Sequence, residues 1–129
     1  MRQSLGRCRR RSGRLATVPF YLSRLPKPEL LPSVVLDVLK RVASFPEVAF
    51  IVIFGSRAVG DANATSDVDL TVSAPAITEK RWLEVRKLVE EAPTLLWVTL
   101  IRFEHSPQEL QRRNLREGVV IYESAKAEG

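Results

Sequence analysis

Residues 54 to 70 read "FGSRAVGDANATSDVDL". A glycine-serine pair opens the stretch, and two aspartates one residue apart close it. A glycine directly after an apolar run lets backbone N–H groups approach an oxyanion, because no Cβ stands in the way. The residues that follow are read as a helical turn, whose N-terminus favours a phosphate. Ser56 adds a hydroxyl donor. Asp67 and Asp69 lie at i and i+2 of the alternating segment "DVDLTVS". Period-two geometry sends both carboxylates to one face, and Val68 and Leu70 to the other. Two carboxylates this close repel unless a cation lies between them. Oxygen ligands suit Mg²⁺, which keeps waters and binds substrate phosphates as well. Two such ions about 4 Å apart can clamp the attacking and leaving oxygens of an in-line displacement. Gly55 and Gly60 also carry a G-x-x-x-x-G spacing, but Asp61 and Ala62 stand where a P-loop needs Lys and then Ser or Thr. A P-loop NTPase is excluded on that defect.

The flanking segments alternate helix and strand. Upstream, "EVAFIVIF" is β-branched and aromatic, a buried strand. Before it, "SVVLDVLKRVASF" places Val35, Val38, Leu39 and Val42 at i, i+3, i+4 and i+7, an amphipathic helix with Ser33 as its expected N-cap. Downstream of "DVDLTVS", the segment "ITEKRWLEVRKLVEEA" puts Trp82, Val85, Leu88 and Val89 on one helical face, with Pro93 as the stop. "LLWVTLIRF" is a third strand. "SPQELQRRNLREG" begins with Ser106 as cap, Pro107 at the first helical position and Glu109 as reciprocal partner, and Gly118 ends it. "VVIY" is a short last strand. The order α-β-α-β-α-β predicts an α+β fold, a mixed sheet with helices packed on one face. Trp82 and Trp97 are expected in the core. Arg57 is read as an exposed arginine that could meet a phosphate, and His105, the sole histidine, as a surface residue.

Composition bounds the rest. The chain has 129 residues, 45% hydrophobic and 27% charged, one domain's worth of a globular protein. The net charge of +5 is a property of one end: residues 1–14 hold six arginines and no acid. The tail and the proline-rich "RLPKPELLP" assign 1–27 to a flexible basic tail and linker, and 28–125 to the domain. Such a tail could touch nucleic acid or acidic lipid; for the domain itself nucleic acid is not expected. The longest apolar run, "VAFIVIF", falls far short of the roughly 20 residues that span a bilayer. Cys8 has no second cysteine to pair with. The expectation is a cytoplasmic protein with no membrane contact.

The Gly-Ser pair, the ten-residue spacer and Asp-x-Asp closely resemble the nucleotidyltransferase signature of the DNA polymerase β superfamily. The small size and the closing "LREGVVIYE" (115–123) are similar to the minimal nucleotidyltransferases (MNT) of HEPN–MNT toxin–antitoxin pairs. The resemblance covers roughly residues 33–123. It implies transfer of a nucleoside monophosphate from a nucleoside triphosphate, here AMP from ATP, with Mg²⁺. By the same resemblance Gly55 and Ser56, with Arg57 and Ser66 beside them, hold the nucleotide, and Asp67 and Asp69 ligate the metal and carry catalysis. It further implies a HEPN partner, since such antitoxins act on a HEPN toxin, some by adding AMP to a tyrosine.

The family places a third carboxylate on the third strand. In "LLWVTLIRFE" that position falls on Thr99, or on Val98 with a one-residue slip. A threonine is a poor base and a weak ligand. Glu104 is the nearest acid, with parity opposite to Thr99, so a bulge would be needed to bring it inward. Three function classes follow: a transferase acting on a partner protein, a catalytically weak or inactive nucleotide-binding antitoxin acting by contact, and a small-molecule nucleotidyltransferase. The last would need a substrate pocket that an extra helical domain usually supplies.

Overall fold

The structure, a computed structural model, describes residues 20–124. The arginine-rich stretch 1–14 lies outside these residues. Helix α1 (Ser33–Ala43) leads into strand β1 (Phe50–Phe54), the short turn of helix α2 (Ser56–Val59) and strand β2 (Val68–Ser73). Helix α3 (Glu79–Glu90), strand β3 (Val98–Arg102), helix α4 (Gln108–Glu117) and strand β4 (Val119–Glu123) complete the chain. The sheet order is β3-β2-β1-β4. β1 runs antiparallel to both its neighbours, and β2 and β3 are parallel. The mixed α+β architecture expected from the sequence is therefore present.

The core follows from period. Val35, Val38, Leu39 and Val42 of α1 are all buried, as are Trp82, Val85 and Val89 of α3. They close over Ile51, Ile53, Val68, Leu70 and Val72, one face of the sheet. The expected packing of helices on one face holds for α1 and α3. Helix α4 crosses the opposite face: Gly118 at its end sits against Val52, the residue that alternates with Ile51 and Ile53. Handedness gives the reason. The chain steps from β2 outward to β3 through α3, and from β3 back across the sheet to β4 through α4. Two right-handed crossovers in opposite directions must use opposite faces.

Several sequence-based expectations need correction. Ser33 is the first helical residue rather than the cap; Pro32 takes the cap position, with no side-chain cap bond. Likewise Pro107 caps α4, and the Ser106 hydroxyl donates back to the Arg102 carbonyl (3.1 Å) instead of to the helix. Glu109 is exposed in the first turn. Trp97 is not core: it is 74% exposed, because it precedes β3 on the face that the core helices do not cover.

The boundary at residue 28 also moves. Phe20 bridges to Tyr122 of β4 and packs on its ring (5.3 Å between centroids). The Tyr21 N–H donates to the Ile121 carbonyl (2.7 Å), and Leu25 is buried in the core. Prolines 26, 28 and 32 shape two 3₁₀ turns, Leu22–Arg24 and Pro28–Leu30, rather than a loose linker. Residues 20–27 thus belong to the domain. Leu25→Ala is expected to cost about 2–3 kcal/mol, the usual loss for a core leucine, read by urea unfolding; an unchanged midpoint would return this segment to the status of a linker.

Candidate active site

The register of β1 against β2 pairs Phe54 with Asp69, so Gly55 emerges directly beside that aspartate. Gly55 has φ +78°, a conformation that side-chain-bearing residues rarely adopt, and a Cβ added there would run into Asp69 Oδ2. Glycine is required here twice over, for its backbone and for its lack of bulk. The Gly55 carbonyl accepts from the Ala58 and Val59 N–H groups (3.0 and 3.3 Å), which closes α2 and leaves the Ser56 and Arg57 N–H groups outside its ladder. Gly60, φ +94°, ends the turn against the Pro26 ring.

Arg57 corrects the sequence reading most sharply. It is 5% exposed, not a surface side chain. Its Nε donates to the Asp67 carbonyl (3.3 Å), Nη1 to Leu30 (3.2 Å), and Nη2 to Ser66 (2.9 Å), Asn63 (3.4 Å) and Ala64 (3.5 Å). Burial lowers its pKa from the ordinary value. The guanidinium fork is taken up by the backbone of the loop between α2 and β2, so in this arrangement it shapes the loop instead of facing a phosphate. Ser66 is likewise engaged: its hydroxyl accepts from the Asn63 N–H (2.9 Å). Asn63 Oδ1 accepts from the Thr65 N–H (2.9 Å), completing a loop held by its own polar groups.

The loop delivers Asp67, exposed and one residue ahead of β2, and Asp69, half-buried on β2. Asp69 sits directly opposite Thr99 of β3 in the parallel ladder. That register places Thr99, not Val98, on the carboxylate face. Burial raises the Asp69 pKa, a side-chain hydrogen bond from Thr99 opposes the rise, and the neighbouring charge of Asp67 adds to it. Glu104 does not reach the pair. β3 stops at Arg102, and a 3₁₀ turn carries Glu104 to the far end of β2, where it accepts from the Ser73 hydroxyl and from the Ala74 N–H (2.9 Å). Among the described residues no group of three metal-ligating side chains forms. The two carboxylates fit a hard cation that completes its shell with water and phosphate oxygens.

The crossover of α4 brings in residues that the sequence reading did not single out. Arg113 and Asn114 line a cleft with Phe54, Gly55 and Val59. The Asn114 Nδ2 is buried without a hydrogen-bond partner. The handedness of the β3-to-β4 connection was the signal that could have placed them. His105, as expected, is exposed, and Trp82 is buried.

The family model for the polymerase beta nucleotidyltransferase domain matches residues 37–127, well over half of the chain. The chain belongs to this nucleotidyltransferase family. Among solved structures it is similar to a toxin–antitoxin crystallised with AMP-PNP, at 21% identity and TM-score 0.52 over 73% of this chain and 74% of that one. It is similar to a candidate nucleotidyltransferase from Sulfolobus solfataricus at 23% identity and TM-score 0.52, covering 78% and 86% of the two chains. A mutant of the toxin–antitoxin MntA-HpeT gives 21% identity and TM-score 0.50 over 71% and 72%. These likenesses are of fold. No curated protein matches the sequence significantly. Within the family fold, the Gly-Ser turn and the Asp-x-Asp strand occupy one face, as the sequence reading expected. No helix among the described residues is long and apolar enough to cross a membrane.

Two outcomes follow from this geometry. Arg57→Ala is expected to destabilise the domain by about 2–4 kcal/mol, since it deletes a buried side chain and leaves several part-buried carbonyls without their charged donor, and to speed amide exchange in 63–67. A variant that keeps its melting point but loses nucleotide affinity would show Arg57 to be a phosphate ligand. Asp69 binds its proton more tightly folded than unfolded, so its contribution to stability is present at low pH and is lost as pH rises through its raised pKa. In EDTA, Asp69→Asn is therefore expected to melt above the parent at neutral pH, with the difference vanishing at acid pH; a lower melting point at neutral pH would overturn the strained-carboxylate reading.

Proposed function

We propose that this protein is a Mg²⁺-dependent nucleotidyltransferase that moves a nucleoside monophosphate, AMP from ATP, onto a hydroxyl of a partner protein, and that it serves as the antitoxin to a HEPN-family toxin. The observation that carries the reading is the convergence of Gly55, Ser56, Asp67 and Asp69 at one end of the sheet. Two of the similar structures are toxin–antitoxin proteins, one of them with AMP-PNP, which supports both the nucleotide and the kind of partner. We take the compartment to be the cytoplasm, where ATP and an unpaired Cys8 belong.

Mg²⁺ held by Asp67 and Asp69 would neutralise the triphosphate and polarise the phosphorus under attack. Gly55 admits the triphosphate to the backbone, and the free N–H groups of the α2 turn with the Ser56 hydroxyl donate to its oxygens. The acceptor oxygen forms a bond to the α-phosphorus, the bond from that phosphorus to the bridging oxygen breaks, and pyrophosphate leaves. The hydroxyl proton passes to water, because Thr99 cannot take it. Thr99 instead orients Asp69 through its hydrogen bond.

Thr99 stands in register with Asp69, where the resemblance implies a carboxylate, and this favours a second reading as well: a nucleotide-binding antitoxin that works by contact with little turnover.

Calorimetry is expected to show ATP binding that EDTA abolishes. Asp67→Asn or Asp69→Asn is expected to lower transfer a hundredfold or more, several kcal/mol of transition-state stabilisation, with the fold intact. Near-normal turnover in either variant would refute the metal assignment. Thr99→Asp is expected to raise the transfer rate at least tenfold by restoring a ligand and a base; no change in rate, with the fold retained, would favour the contact-only antitoxin.

A further inference from the structure

The two edges of the sheet are treated differently. Along β4 the chain covers its own edge: Phe20 bridges to Tyr122, the Tyr21 N–H donates to Ile121, and Arg24 Nη1 donates to the Val120 carbonyl (3.0 Å). Along β3, among the described residues, no backbone group bonds to the outer edge. An open edge is a template for another extended chain.

Beside that edge stand two large apolar side chains. Leu95 lies in the bend just before the strand. Val98 and Leu100 pack toward the core, so by strand alternation Trp97 and Thr99 face the other way. That is the face of Asp67 and Asp69. Leu95 is 105% exposed and Trp97 is 74% exposed. The Trp97 carbonyl accepts from the Val68 N–H (2.9 Å), which extends the β2–β3 ladder by one step and sets Trp97 beside Asp67. An indole left in water forgoes one of the largest burial gains that a side chain offers, and tryptophan is enriched where partners bind.

In-line displacement states which substrate comes to this side. Pyrophosphate departs toward Gly55 and Ser56, next to β1. The attacking oxygen must approach from the opposite side of the phosphorus, and across the Asp67–Asp69 pair from β1 lies β3. We propose that Leu95, Trp97 and the outer edge of β3 form the docking surface for the acceptor protein, which lays an extended segment along β3 and presents its hydroxyl past Thr99 to the α-phosphorus. This inference rests on the transferase reading and names where its partner binds. Trp97 and Thr99, two residues apart along the extended ladder, are spaced by about 7 Å, the repeat of alternate side chains in an extended peptide. Backbone bonds along the edge and side-chain contacts beside it are the two halves of strand-addition recognition. In the step itself the acceptor oxygen bonds to phosphorus, pyrophosphate leaves, and the proton goes to water.

The test uses the full chain with Mg²⁺ and [α-³²P]ATP in an extract of its own cells, comparing the parent with Trp97→Ala, Leu95→Ser, Trp97→Phe and Asp67→Asn. ATP affinity is read by calorimetry and association state by sedimentation velocity. The expected result is a labelled protein that Asp67→Asn abolishes, that Trp97→Ala and Leu95→Ser each reduce at least tenfold with ATP affinity within twofold of the parent, and that Trp97→Phe largely restores. Unchanged labelling in Trp97→Ala would overturn the docking surface while leaving the transferase reading in place. So would a parallel loss of ATP affinity, which would assign Trp97 to the nucleotide. Conversion of a dimer to a monomer by Trp97→Ala would assign the surface to a second copy of this chain, and label found only in small molecules would assign another acceptor; either overturns the proposal. Absence of any Asp67-dependent label would remove the transferase reading and this inference with it.

Discussion

The candidate site depends on a buried guanidinium. Arg57 gathers the carbonyls of Asn63, Ala64, Ser66 and Asp67 on one side and of Leu30 on the other. A loop of this length, with mostly polar residues and two alanines, has little apolar content to fold itself. The charge-assisted bonds supply what packing cannot. They also connect the loop to the segment before α1, an attachment reinforced by Lys27 Nζ on the Ala62 carbonyl (3.3 Å) and by Gly60 against Pro26. The position of Asp67 is therefore set by residues far from it in the chain.

Around that loop the sheet builds a site with an internal tension. Asp69 is half-buried, faces Gly55 at close range and shares its surroundings with Asp67, and only the Thr99 hydroxyl offsets the resulting cost of its charge. A domain built only for stability would place an apolar residue there. The glycine at 55 removes the Cβ that would collide with the Asp69 carboxylate, and the electrostatic cost sits where a metal-bound polyphosphate would relieve it.

How much of this was legible in the sequence depends on what kind of contact is involved. Strands and helices with strong period, α1, α3, β1 and β2, were readable from Val35, Val38, Leu39, Val42, Trp82, Val85 and Val89, because burial on one face imposes that period. The Asp67–Asp69 face was readable from parity alone. Trp97 was misread because an aromatic in an apolar run looks the same whichever face it takes; only its pairing next to Val68 reveals that it points away from the helices. Arg57 was misread because its partners are backbone carbonyls, which leave no trace in side-chain identity. Glu104 stays away from the pair, as its parity indicated, because β3 ends at Arg102 and a 3₁₀ turn carries it to the far end of β2. The docking of Phe20–Leu25 joins the chain to its far end, a relation that no local window contains.

That last relation bears on how the chain comes to be folded. The central strand β1 has β2 on one side and β4, the last strand, on the other. The segment that covers β4 precedes the other described elements: Arg24 and Val120, 96 residues apart, are hydrogen-bonded. During synthesis β1 and β2 can pair early, but the sheet lacks its fourth strand until residues 119–123 have been made, and the first described residues wait for the last. Contacts of such sequence separation slow folding and prolong the exposure of unpaired edges. The nascent chain therefore displays the hairpin that carries Asp69 well before the closed domain exists.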